Sequence, residues 1–357
     1  MPVDNPRTGT VALSPIRPRL GARGPRTLKP KIEPDRVAAS ALSEHEGGSN
    51  VDSRLERRLE TRLDENGKAG APAHRTRMTA LASLLADDSP SVLHEVRRAL
   101  EEGRAAARPA LERAASGDDP RLRARARMLL LEARHRAALR RFTGYALRPE
   151  VDLERGLFLL ARLHAPRLDP RPYQRALDAM AAEVVRRRAS PGDEMAPIRA
   201  LIEYLGRELR FGGSRGEFHH PDNIDVHRAI ERRAGIPLTL SAIWLFVARR
   251  AGIRAALVPL PGHVMLRLRA GARSVIVDPY HDGRTRTEAE CRSYLAKHGA
   301  ASNAAAFRDA PDASLLRRQV ANLARSAQLR GRVREARLLV TVVRALEPGR
   351  PPGSLPG

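Results

Sequence analysis

An imidazole and a carboxylate stand at the ends of two β-type runs in this chain. His263 follows Pro261-Gly262 and opens the run Val264 to Leu268, while Asp278 closes the run Ser274 to Val277. If the carboxylate of Asp278 accepts a proton from one ring nitrogen of His263, the other nitrogen is left to act as a base or to bind a ligand. Whether the two meet depends on the turn between the runs. A two-residue turn through Ala270-Gly271 sets them directly opposite. A four-residue turn, Ala270 to Arg273, makes them a diagonal pair on the same face, and a three-residue turn puts them on opposite faces. No nucleophile accompanies them in an obvious way. The only cysteine is Cys291, downstream of both runs, and Glu288 and Glu290 beside it on an expected helix raise a thiol pKa rather than lower it, which predicts an inert side chain. His219-His220 lacks a cysteine or carboxylate pattern at ligand spacing, so no metal site and no cofactor are expected.

The elements that must hold these residues can be read from periodicity. Leu238 to Arg250 is apolar nearly all round, carrying Leu240, Ile243, Trp244, Leu245, Phe246 and Val247. It reads as a helix buried on most sides, with Pro237 at its first position and Gly252 closing it. The β-type runs Ala255 to Leu260, Val264 to Leu268 and Ser274 to Val277 follow. Upstream, Phe211-Gly212-Gly213 and His219-His220-Pro221-Asp222-Asn223 form a loop. Asn223 is expected to cap a helix that runs to Arg233 and ends at Gly235. Further back, Arg77 to Arg141 is helical with breaks at Ala86 to Pro90 and Gly117 to Pro120, a faint echo of HEAT-type hairpins. Asp152 is an expected N-cap, and helices are predicted over Pro172 to Arg188 and Met195 to Leu209. Leu315 to Pro348 is a helical hairpin turning near Arg330-Gly331-Arg332. Its length, its small residues Ala321, Ala324 and Ala336, and its closing Pro348 look like one tetratricopeptide unit, which must dock on the rest because a single repeat cannot bury its own core.

Composition narrows the class. The 357 residues are 42% apolar, enough for two or three cores, and no window holds the 18 apolar residues of a membrane span. With no compact apolar leader and one cysteine, a cytoplasmic location and no membrane partner are expected. Net charge is +23, from 64 basic and 41 acidic residues. Only Lys29, Lys31, Lys68 and Lys297 are lysine, the arginines are spread through every expected helix, and aromatics make up 3%. That pattern argues against a base-stacking surface and against specific nucleic-acid binding. The first 36 residues carry seven prolines, eight basic and three acidic residues with almost no apolar periodicity. Residues 1–75 therefore read as a disordered basic tail, with a short helix conceivable at Asp52 to Leu63.

Five segments in order carry a resemblance: Asp152-Leu153-Glu154-Arg155-Gly156-Leu157, Pro221-Asp222-Asn223, Glu231 to Ser241, Leu260-Pro261-Gly262-His263 and Val277-Asp278-Pro279-Tyr280. They resemble the signature segments of the SirB family of bacterial transglutaminase-like proteins, over about residues 140–350. The resemblance implies an α+β fold with a transglutaminase-like, papain-like core. In the related enzymes a cysteine at a helix N-terminus is activated by the helix dipole and a histidine. Counting back from Ala251-Gly252-Ile253-Arg254 puts that position between Pro237 and Thr239, where Thr239 alone has a heteroatom. The resemblance thus implies a remnant triad of Thr239, His263 and Asp278, with Asn223 as a motif residue in binding. The expected organisation is a tail at 1–75, a helical region at 76–145, the core at 146–310, the hairpin at 311–348 and a loose tail at 349–357. The leading function is a catalytically silent module that binds a protein partner or regulates one. The alternative is a hydrolase or acyltransferase using His263 and Asp278 with Thr239 or water.

Overall fold

The computed structural model describes residues 71–187, 192–298 and 307–347. The expected tails before residue 71 and after 347, and the short helix expected at Asp52 to Leu63, lie outside them. Helix α1, Ala71–Ser83, already occupies the last residues assigned to the tail. It is followed by α2, Pro90–Glu102, α3, Arg104–Ala114, and the long α4, Pro120–Ala146. The two expected breaks are present, with Pro at the first helical position after each and Asp119 capping the backbone N–H groups of Arg121 and Leu122. A third break, at Gly103, has no Pro or Asp to announce it. Met78, Leu85, Val96, Leu100, Leu111 and Leu129 form a hydrophobic cluster of their own within these helices.

Helix α5, Leu153–Ala161, is capped by Asp152, whose side chain accepts from Arg155 N. Helix α6, Arg171–Arg187, and α7, Ala196–Ile202, follow, and the chain leaves α7 through a wide π turn, Glu203–Glu208. Strand β1, Gly212–Gly213, pairs in parallel with β2, Ala234–Gly235. Between them the single helix expected from Asn223 to Arg233 is two, α8, Pro221–Ile224, and α9, Val226–Arg232. The reason is tertiary. Asn223 spends its amide on the carbonyls of Glu217 and Phe218 rather than on a cap, and the Asp225 carboxylate goes to His164 at 2.7 Å, which opens the helix between them. Arg233, in a left-handed conformation at φ 54°, ends α9 in place of Gly235.

The central helix α10, Pro237–Arg250, is buried from Pro237 to Ala248. It packs on an antiparallel sheet of β3, Arg254–Leu260, β4, His263–Ala270, β5, Arg273–Asp278, and β6, Arg284–Arg286, in that order. Ala270 faces Arg273 and Leu266 faces Val277, so the turn is the four-residue one. Helix α11, Glu288–Lys297, opens with a capping box from Thr287 and Glu290 and covers the other side of the sheet with Cys291 and Leu295, joined there by Phe307 from beyond the helix. Helices α12, Asp312–Leu329, and α13, Val333–Ala345, form a hairpin that contributes Leu315, Leu316, Val320, Leu323 and Leu339 to the main core around Trp244. Among the described residues no helix is long and apolar enough to cross a membrane.

Candidate functional site

The four-residue turn settles the register left open by the sequence. Asp278 lies diagonal to His263 on the same face, and its Oδ1 accepts from His263 Nε2 at 2.9 Å. This hydrogen bond places the ring proton on Nε2 and leaves Nδ1 as the basic nitrogen of the neutral ring. The pair is buried beneath the turn that follows β5. Asp278 also caps that turn: it accepts from His281 Nδ1 at 2.7 Å, from His281 N at 3.3 Å and from Arg286 Nη2 at 3.3 Å. Burial by itself pushes the Asp278 carboxyl up. The hydrogen bonds and charges of His263 and His281 outweigh that and hold it well below the usual carboxylate range. Tyr280 stands edge-on to the His263 ring at 5.7 Å, and Tyr294 lies 6.0 Å away with its hydroxyl on the Pro261 carbonyl. From the hairpin, Arg318 donates to the carbonyls of Leu260 and His263 at 2.7 and 3.0 Å, bracing the strand turn from below.

Thr239 is the third residue of α10 and fully buried. Its hydroxyl donates to the Ile224 carbonyl at 3.1 Å and accepts from Gln319 Nε2 at 2.8 Å, while the same Gln319 nitrogen reaches Ile224 O at 2.7 Å. The hydroxyl is thus turned toward α8 and the hairpin, and no hydrogen bond joins it to His263 among the described residues. A threonine hydroxyl with its proton donated to a carbonyl is not poised to attack anything. Two residues on, Ser241 donates to the Val264 carbonyl at 2.9 Å, tying the helix to β4. Cys291 is buried on the far side of the sheet, its thiol pushed up by burial and by Glu290. Asn223 is buried too, and Arg232 donates to its side-chain oxygen at 2.9 Å.

Sequence reasoning did not single out His281, Gln319 or Arg318. His281 carried a readable signal, since it stands three residues after Asp278 in a turn of one helical pitch. Gln319 and Arg318 reach the site across the fold and leave no local trace. With His281 included, one ligand atom each from His263, Asp278 and His281 lie within 4.8 Å of one another, a set able to hold a divalent metal with solvent completing its shell. The arrangement offers two chemistries from its own residues: a carboxylate-oriented imidazole that can take a proton at Nδ1, or a hydrogen-bonding point of fixed direction among polar and aromatic neighbours.

Residues 171–321 match the transglutaminase-like superfamily. A UPF0162 protein of Xylella fastidiosa is 32% identical over 144 residues, covering 39% of this chain and 50% of that protein. F-box only protein 21 of Mus musculus is 30% identical over 107 residues, covering 28% of this chain and 17% of that protein. A UPF0162 protein of Vibrio cholerae is 25% identical over 107 residues, 30% of this chain and 39% of its own length. The chain thus spans about half the length, or less, of the curated relatives it matches. No solved structure matches it. By these matches, the chain carries a transglutaminase-like superfamily domain and is homologous to the bacterial UPF0162 proteins.

Proposed function

We propose that the protein is a catalytically silent transglutaminase-like protein of the SirB type. In this reading it is a protein-binding or regulatory module in the cytoplasm, with a helical region at 76–145, a core at 146–310 and a docked tetratricopeptide-like hairpin at 311–348. The observation that carries the reading is the commitment of the Thr239 hydroxyl to Ile224 O and Gln319 Nε2, which leaves His263 with an orienting carboxylate and, among the described residues, no nucleophilic side chain hydrogen-bonded to it. An imidazole held in this way is still a hydrogen-bonding group of fixed direction, and a partner's polar side chain can use it without any bond being broken. The reading is tested by assaying purified protein for transamidase, thiol-protease and esterase turnover. No turnover above that of a His263→Ala variant is expected, and turnover that His263→Ala abolishes would refute silence.

A second reading is favoured by one feature, the retained 2.9 Å hydrogen bond between His263 and Asp278. In it, His263 Nδ1 activates a water for hydrolysis of an ester or amide, with Asp278 steadying the imidazolium. The same assay decides between the two.

A further inference from the structure

The arginines are not everywhere dispersed. A cleft of about 910 Å³ is lined by Arg207, Arg210, Arg215, Arg232 and Arg233 around the glycine-rich segment Gly212 to Gly216. Elsewhere among the described residues many arginines find a carboxylate, as Arg250 does with Glu154 and Asp178, or Arg97 with Glu132. In the cleft only Arg207 does, with Glu203. Arg232 is held by the neutral amide of Asn223 and Arg233 by the Leu209 carbonyl at 3.4 Å. Arg210 and Arg215 have no hydrogen-bond or ion-pair partner among the described residues. The acidic residues of the wall are largely taken. Glu217 faces Arg330 at 3.3 Å and Asp222 faces Arg228 at 3.4 Å. That leaves Asp282, with Asp222 acting on Arg232 by charge, against four guanidinium groups that have no carboxylate hydrogen bond.

A second observation converges on the same place. Among the described residues three that are not glycine adopt left-handed backbone, Arg210, Arg233 and Asp282, and all three line this cleft. Each such residue is held at a cost of order 1 kcal/mol or more, and such strain gathers where a site must be shaped. The glycines shape it further. A Cβ on Gly213 would fall 2.6 Å from the Tyr280 ring, and one on Gly212 would fall 2.5 Å from Asp282 Oδ1. The bare backbone therefore lets the wall close on the turn that carries Asp278 and His281. Tyr280 is shared, touching Gly213 and standing edge-on to His263.

We propose that this cleft is an anion site that takes a phosphate group, either free or borne by a larger ligand. Planar guanidinium forks match phosphate oxygens two at a time, and a dianion answers the surplus of positive charge that the wall leaves uncompensated. The volume exceeds that of phosphate alone, which leaves room for the group that carries it. The proposal does not depend on whether the neighbouring His263 is catalytic.

Calorimetric titration of the full chain with pyrophosphate, at ionic strength held constant with chloride, tests it. Wild type is expected to bind one equivalent saturably. Arg210→Gln with Arg215→Gln should weaken binding at least about tenfold, as loss of two charge-assisted hydrogen bonds implies. Arg140→Gln with Arg141→Gln, the same charge change on exposed residues of α4, should leave it within about twofold. Circular dichroism of each variant checks that it is folded. Replacing pyrophosphate by a phosphoserine tripeptide separates the sources: tighter binding of the peptide assigns the site to a phosphorylated chain, tighter pyrophosphate to a free ligand. Absence of saturable binding, or equal loss in both pairs of variants, would overturn the proposal.

Discussion

The hydroxyl of Thr239 carries more of the argument than the histidine does. Because it bridges a carbonyl and an amide in a fully buried place, replacing it tests a structural role directly. Thr239→Val keeps the shape but strands Ile224 O and Gln319 Nε2 with one partner fewer each, and should cost about 1–3 kcal/mol in urea denaturation. Thr239→Ser keeps the hydroxyl and should cost less than half of that. A Val variant as stable as wild type would mean that the hydrogen bonds contribute nothing. Asp278 makes a prediction of a different kind. Its folded carboxyl is held below the usual range, so the unfolded chain takes up its proton first, and the stability that its ionised form contributes is present above about pH 4 and lost as pH falls further. The thermal midpoint should therefore fall less steeply from pH 6 to pH 3 in Asp278→Asn than in wild type. Equal slopes in the two proteins would assign the acid sensitivity to other carboxylates.

At the scale of elements, the hairpin is fixed to the core by polar pins as well as by leucines. Gln319 reaches Ile224, Ser326 donates to the His219 carbonyl at 2.6 Å, and His164 stands between Asp225 at 2.7 Å and Glu335 of α13 at 2.9 Å. Burial alone lowers the His164 pKa, but hydrogen bonds and charges from Asp225 and Glu335 overcome it and raise it to about 10. A raised folded pKa means that the stabilisation is fully present below about pH 6.5 and is lost as pH climbs toward 10. Thermal midpoints measured from pH 7 to pH 10 should decline more steeply in wild type than in His164→Gln, and parallel curves would show that the clamp does not hold the hairpin. These pins also mark what the sequence could and could not disclose. The central helix, β3 to β5 and the hairpin turn were legible because apolar runs and glycines signal them locally, and the starting residues came within one to three positions of those observed. The split of α8 from α9 was not legible, since Asp225 leaves the helix for a histidine 61 residues earlier. The three-residue strand β6 was too short to alternate visibly. The face to which Thr239 turns depended on Gln319, which is 80 residues away.

The described residues form two main hydrophobic cores strung on one helix. In the 27-residue α4, Ala126, Leu129 and Leu130 belong to the N-terminal cluster, while Phe142 and Ala146 belong to the cluster around Trp244. A net charge of +23 acts on the same scale. With one arginine cluster in a cleft and few stacking aromatics, binding to DNA or RNA should be weak, indifferent to sequence and steeply lost between 50 and 200 mM salt, as roughly 10³-fold losses are for proteins held by several phosphate contacts. A filter-binding titration at two salt concentrations checks it, and sequence-selective binding that survives the higher salt would contradict it. The two cores make the stronger test. Trp244 is the only tryptophan and is fully buried in the main core, so its fluorescence reports that core alone, whereas far-ultraviolet circular dichroism reports helices of both. Leu129→Ala removes a buried side chain from the N-terminal cluster, at a cost of about 2–5 kcal/mol there. If α4 couples the cores only loosely, the substitution should bring forward the loss of helical signal in urea and leave the fluorescence midpoint in place, separating two transitions. If the cores unfold together, both signals should move by the same amount. That result would make the long helix a rigid strut, transmitting the stability of the helical region directly to the wall that holds His263 and Asp278.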